Sequence, residues 1–102
     1  MIRKIAKYKV RREALAAVEA AIHEFVTAIS QAEPDTTYTA FRTGDETTFI
    51  HFMEFPDSKA ETHHQKAPYT LKFVEVLYPK CEIQPEFTDL IPMSTSKQDE
   101  IV

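Results

Sequence analysis

The chain has 102 residues, with 12 Lys or Arg against 16 Asp or Glu for a formal net charge of −4, and its residues are 43% hydrophobic and 11% aromatic. That fits one domain with a single modest core, too apolar for a disordered chain. Its acidic balance and scattered cations do not make a nucleic-acid footprint.

Residues 2–10 read as a strand, with Ala6, Tyr8 and Val10 on one face and Lys7 and Lys9 on the other. From residue 13 to about 32 the spacing becomes helical, and Leu15, Val18, Ile22, Phe25, Val26 and Ile29 form one apolar stripe. His23 falls on the edge of that stripe and is assigned no role. Pro34 ends the helix and Asp35 opens a turn. Two strands follow, over 36–43 and 47–55, joined at Gly44-Asp45-Glu46 as a hairpin. With only one glycine and no asparagine in the chain, tight turns must rely on Gly44, the prolines and Asp or Ser.

Pro56-Asp57 stops the second hairpin strand. Ser58-x-x-Glu61 reads as a capping box, serine and glutamate satisfying backbone donors at a helix start. A short helix to about residue 66 is predicted, restarted by Pro68 at a first helical position. A second helical piece runs from 69 to about 80, with Tyr69, Phe73, Val76 and Leu77 on one side. Pro79 and Pro85 bracket its exit, and the last strand is predicted over 86–93. The order is β-α-β-β-α-β, so the fold class is α+β: a ferredoxin-like domain over 1–93, an antiparallel four-stranded sheet with its helices on one face. The polar tail over 94–102 is expected to lie outside it.

In the strand 47–55, Phe49, His51, Met53 and Phe55 share one face, while Ile50 and Phe52 lie on the other. Two helices cover only one face of such a sheet. A second copy of the chain is the economical cover for the other, which predicts a homodimer.

No apolar run approaches the ~20 residues of a membrane span, and the start MIRKIAKYKV lacks the apolar region of a signal peptide. The lone Cys81 excludes an internal disulfide and suits a reducing compartment. A cytoplasmic protein with no membrane or nucleic-acid partner is therefore expected. Cys81 has neither flanking metal ligands nor a visible base, so it reads as a passive side chain.

The segment ETHHQKAPYT carries the most chemistry. Adjacent helix positions point about 100° apart, so His63 and His64 do not chelate one ion, and Glu61-x-x-His64 is a single copy of a motif that di-iron bundles use twice. No metal site is expected. A histidine in an apolar pocket stays neutral and able to accept a proton. Only one of His63 and His64 can face the sheet, and His64 lies one turn before Pro68-Tyr69. His51, centred on an aromatic strand, is a second candidate. A satisfied core histidine is the competing reading of each.

The stretch THHQKAPYTLKF resembles the second-helix signature of the antibiotic biosynthesis monooxygenase (ABM) superfamily: His64, then Pro68, Tyr69 and Phe73 in order. FIHFMEFPD is similar to the strand that precedes it, and the element order matches from about residue 2 to 93. The resemblance implies a dimeric α+β barrel with a pocket in each subunit between sheet and helices. Several relatives oxidise quinols or aromatic polyketide intermediates with O2 and no metal or flavin, so no cofactor is expected and the partner is a small hydrophobic or aromatic ligand. The resemblance then makes His64 the base and Tyr69 its hydrogen-bonding companion. Phe49, Met53, Phe73 and His51 would bind substrate, and Tyr8, Tyr38 and Arg42 would add polar contacts if their faces are inward. The haem-degrading branch uses an Asn and a Trp; this chain has neither, so haem chemistry does not carry over. A ligand-binding or stress-associated protein without catalysis, and a small-molecule isomerase, are the alternatives on the same fold.

Overall fold

A computed structural model describes residues 1–96. Four strands and three helices follow one another as β1 (Ile2–Val10), α1 (Leu15–Ala32), β2 (Thr37–Arg42), β3 (Thr48–Phe55), α2 (Ser58–Lys66), α3 (Pro68–Leu77) and β4 (Cys81–Leu90), with 3-10 turns at Arg12–Ala14 and Tyr78–Lys80. The sheet is antiparallel throughout, in the order β2-β3-β1-β4. This is the ferredoxin-like α+β fold expected from the element order.

The period-2 pattern of β3 is realised without a break. Phe49, His51, Met53 and Phe55 are buried and the residues between them are half-buried. β1 buries Ala6, Tyr8 and Val10 on the same side, with Ala6 opposite His51 and Tyr8 opposite Phe49. Against that face α1 buries Val18, Ile22, Phe25 and Ile29, and α3 buries Phe73 and Leu77. Each such side chain contributes about 1.5–3 kcal/mol when withdrawn from water. Phe25 of α1 stacks on Phe73 of α3 with ring centroids 4.4 Å apart, which fixes the separation of the two helices. No described helix covers the other face of the sheet: Ile5, Ile50 and Phe52 are only half-buried, and Phe41 is exposed.

Three local expectations are corrected. The hairpin turn does not rest on Gly44, whose φ is not positive; the left-handed residue is Glu46, at φ 70°. Asp45 organises the turn instead, its Oδ1 accepting from the backbone N–H groups of Thr47 and Thr48 at 3.0 and 2.8 Å and from the Thr43 hydroxyl at 3.0 Å. The Thr48 hydroxyl donates to Asp45 Oδ2 at 2.7 Å, and this bond, followed by that from the Thr48 backbone N–H and then those from Thr47 and Thr43, holds the Asp45 carboxyl far below the usual range. The start of α2 is capped by Asp57, whose Oδ1 accepts from the Ala60 N–H at 2.8 Å, and Ser58 is the first helical residue. Glu61 pairs with Lys4 of β1 at 2.5 Å. Finally, β4 begins at Cys81 and ends at Leu90, not over 86–93. Pro85 lies inside it, at the register shift between Lys7↔Glu86 and Lys9↔Ile83, where an edge strand tolerates a missing N–H. Residues 91–96 follow without regular structure, and the rest of the expected tail lies outside the described residues.

Candidate active site

Proline chemistry sets the position of the histidine pair. Ala67 precedes Pro68 and is held extended at φ −64°, ψ 143°, so α2 stops and α3 starts afresh with Pro68 in its first turn. Ala67 is buried and its N–H reaches the His64 carbonyl. His64 thereby sits in the last turn of α2 facing the sheet, 5% exposed, while His63 points to solvent.

His64 meets a partner from 31 residues upstream. Its Nδ1 lies 2.9 Å from Oε2 of Glu33, the residue that closes the C-terminus of α1. The Tyr69 hydroxyl donates to the same oxygen. Glu33 is 6% exposed, and its second oxygen, Oε1, is buried without a hydrogen-bond partner among the described residues. Burial pushes the Glu33 carboxyl up, but the hydrogen bonds from Tyr69 and His64, the nearby His64 charge and a smaller contribution from the Thr36 hydroxyl together outweigh it, and the net displacement is downward. In the neutral form of the His64 ring, an ionised Glu33 places the single proton on Nδ1 and leaves the lone pair on Nε2. Donation to Glu33 and burial hold the Tyr69 phenol well above its ordinary value, burial being the larger cause.

A cavity of about 260 Å³ lies between the sheet and the helices, with His64 on its wall. Phe25, Phe73 and Leu77 from the helices, Met53 and Phe55 from β3 and Phe87 from β4 make it predominantly apolar. His51, Tyr8 and Tyr38 supply a second polar point on the wall. The Tyr8 hydroxyl lies 2.7 Å from His51 Nε2 and the Tyr38 hydroxyl 2.7 Å from His51 Nδ1, so both ring nitrogens are occupied. Burial pulls His51 down to about 4 and pushes both phenols far up. All three groups are neutral near neutral pH. Tyr38 stands between the two histidines, its ring centroid 5.5 Å from that of His51 and 5.7 Å from that of His64. Lys4 and Glu61 also border the cavity as an ion pair; Glu61 holds the Lys4 ammonium above its ordinary value, with Asp89 3.7 Å from the amine.

Of the residues singled out in the sequence, His64, His51, Met53 and Phe73 line this one cavity. Phe49 does not: it stacks on Tyr8 at 5.5 Å within the core, one pleat away from the opening. Tyr69 does not either, because its hydroxyl is committed to Glu33 behind His64. Tyr8 and Tyr38 do face inward, whereas Arg42 is exposed and pairs with Glu19 at 3.0 Å. Cys81 is half-buried and burial raises its thiol, the opposite of activation. Glu33 was not foreseen. A glutamate at a helix end before a proline reads as solvated, and nothing local marks it as the partner of a histidine in another helix. Among the described residues no three His, Cys, Asp or Glu side chains lie close enough to hold a metal ion, and no helix is long and apolar enough to cross a membrane.

An antiparallel ferredoxin-like sheet with helices on one face, and between them an open, largely apolar cavity with His64 on its wall, define a small α+β protein of the ferredoxin-like class. The chain belongs to the antibiotic biosynthesis monooxygenase family, whose model matches residues 1–76. A crystal structure of an antibiotic biosynthesis monooxygenase superposes with TM-score 0.84 at 20% identity, covering 92% of this chain and all 100% of that one. A Mycobacterium tuberculosis protein gives TM-score 0.82 at 20% identity, over 94% of this chain and 98% of its own. A Methanosarcina mazei conserved protein gives 0.79 at 14% identity, over 87% and 89%. At these identities the likeness carries the fold. No curated protein matches the chain.

Proposed function

We propose that the protein is a cofactor-independent monooxygenase that oxidises a quinol or similar small aromatic with O2, working as a cytoplasmic homodimer. The observation that carries this reading is His64, held by a buried carboxylate on the wall of an apolar cavity of about 260 Å³. With Nδ1 tied to Glu33, Nε2 is the lone pair available to take a phenolic proton, and the resulting imidazolium is stabilised by Glu33. A phenolate is electron-rich enough to pass one electron to O2 itself. The superoxide and phenoxyl radical then combine at a ring carbon, a proton completes the hydroperoxide, and this loses water to give a carbonyl. In balance, a hydroquinone and O2 give a hydroxyquinone and water. The protein's part is to desolvate the ring, orient it and hold the proton. The sheet face bearing Ile5, Ile50 and Phe52 is the surface on which a second copy would close the barrel.

The test is oxygen uptake over a panel of hydroquinones. Uptake above autoxidation that is lost in His64→Ala supports the reading; no uptake with any of them sinks it. A second reading, a binding protein without catalysis, is favoured by one feature: both nitrogens of His51 are already occupied by tyrosines, which suits holding a ligand as well as turning it over. Ligand binding without oxygen uptake would select it.

A further inference from the structure

Counting protons over Tyr8, His51 and Tyr38 assigns a direction to their hydrogen bonds. Burial keeps His51 neutral, at about 4, so its ring has one N–H and one lone pair, and each tyrosine has one O–H. Three protons therefore serve two bonds, at Nε2 and at Nδ1, each 2.7 Å long. One hydroxyl proton is left over. Both tyrosines border the cavity, but Tyr8 is 2% exposed against a half-buried Tyr38, and His51 is its one hydrogen-bond partner among the described residues, so a free proton on Tyr8 would be the one left without room for an acceptor. A buried unpaired donor is costly. Tyr8 must therefore donate to Nε2, the His51 proton sits on Nδ1 and is given to the Tyr38 oxygen, and the free proton belongs to Tyr38. Tyr38 is only partly buried and borders the cavity beside His64.

We infer that Tyr38, polarised by the Tyr8–His51 chain behind it, is the hydrogen-bond donor that selects ligands, so that the cavity takes a phenol carrying a second oxygen able to accept. The phenol meets His64 and the accepting oxygen, a carbonyl or a second ring oxygen, meets Tyr38. The inference deepens the proposed function and rests on it only for the phenol; it is tested by binding, which fails or succeeds independently of oxidation.

The probes are 4-hydroxyacetophenone and 4-ethylphenol, alike in shape, inert to O2 and differing in the accepting oxygen. Calorimetric titration of the wild type should show a preference for the ketone of about tenfold, the value of one added hydrogen bond. In Tyr38→Phe the preference should fall to near unity while 4-ethylphenol binds within about twofold of wild type, since the apolar contacts remain. A preference kept in Tyr38→Phe, or failure of the wild type to bind either probe, overturns the inference. A second measurement stands whether or not the variant folds: the ring ¹⁵N shifts of His51 should report a proton on Nδ1 and a bare Nε2. The opposite tautomer contradicts the argument at its first step.

Discussion

Replacing Tyr69 by Phe removes one hydroxyl and leaves the ring that packs 6.3 Å from Phe25. The lost group donates to Glu33 Oε2, the oxygen that also meets His64 at 2.9 Å, while Oε1 is buried with no hydrogen-bond partner among the described residues. A hydrogen bond to a charged acceptor contributes roughly 1.5–3 kcal/mol. Tyr69 is half-buried, which puts the expected loss near the lower end, about 2 kcal/mol. For a domain of this size that lowers Tm by about 8 °C. The loss must also depend on pH. Glu33 lies below its ordinary 4.5 in the folded protein, because the bonds from Tyr69 and His64, the His64 charge and Thr36 together outweigh the larger single effect of burial. A depressed carboxylate stabilises the fold above its unfolded value, and that stability is lost as pH falls through the folded value. With one bond fewer, Glu33 in the variant sits higher, so the gap between the two proteins is full at neutral pH and closes on acidification below 4.5. Urea melts followed by circular dichroism across that range, at one protein concentration, measure it. A gap that stays constant into acid, or one below about 0.5 kcal/mol at neutral pH, refutes the account of Glu33 as a buried charge held by Tyr69 and His64.

Three other predictions follow from the same geometry. NMR titration of His51 should give a midpoint near 4. Because the unfolded chain takes that proton near 6.5 while the folded one does not, stability should fall between 6.5 and 4, by at most about 3 kcal/mol; a midpoint near 6.5 would mean that His51 is not held neutral by burial. Asp57→Ala should cost about 1 kcal/mol in thermal or urea denaturation and Ser58→Ala much less, since the cap is the aspartate; equal losses would restore the capping box. On the uncovered sheet face, Phe52→Glu should turn a dimer into a monomer in sedimentation, and a monomeric wild type would remove the argument for a second copy.

The legible part of the fold lay where period and punctuation agree. The alternation of β1 and β3, the stripe of α1 and the restart at Pro68 are local patterns, and they appear within a residue or two of their expected ends. β4 was misread because Pro85 was taken for a breaker, whereas an edge strand with a bulge accommodates it. Glu61 was misread for a related reason: a capping pattern is local, but the ion pair with Lys4 that claims it spans 57 positions of chain. The site divides in the same way. His64 was separable from His63 because a helix exposes only one of two adjacent residues to the sheet. Glu33, by contrast, reaches His64 only once α1 and α2 lie side by side, and the pairing of His51 with Tyr8 and Tyr38 depends on the register of three strands.

The central claim is that this cavity inserts oxygen from O2 into a phenolic ring with His64 as the base. Its most direct test is turnover of a hydroquinone under ¹⁸O2 with the product analysed by mass spectrometry. The account predicts one ¹⁸O in the hydroxyquinone, the other in water, and a rate reduced about 10²–10⁴-fold in His64→Ala. A quinone free of ¹⁸O, formed with hydrogen peroxide at a rate the substitution does not change, would contradict it.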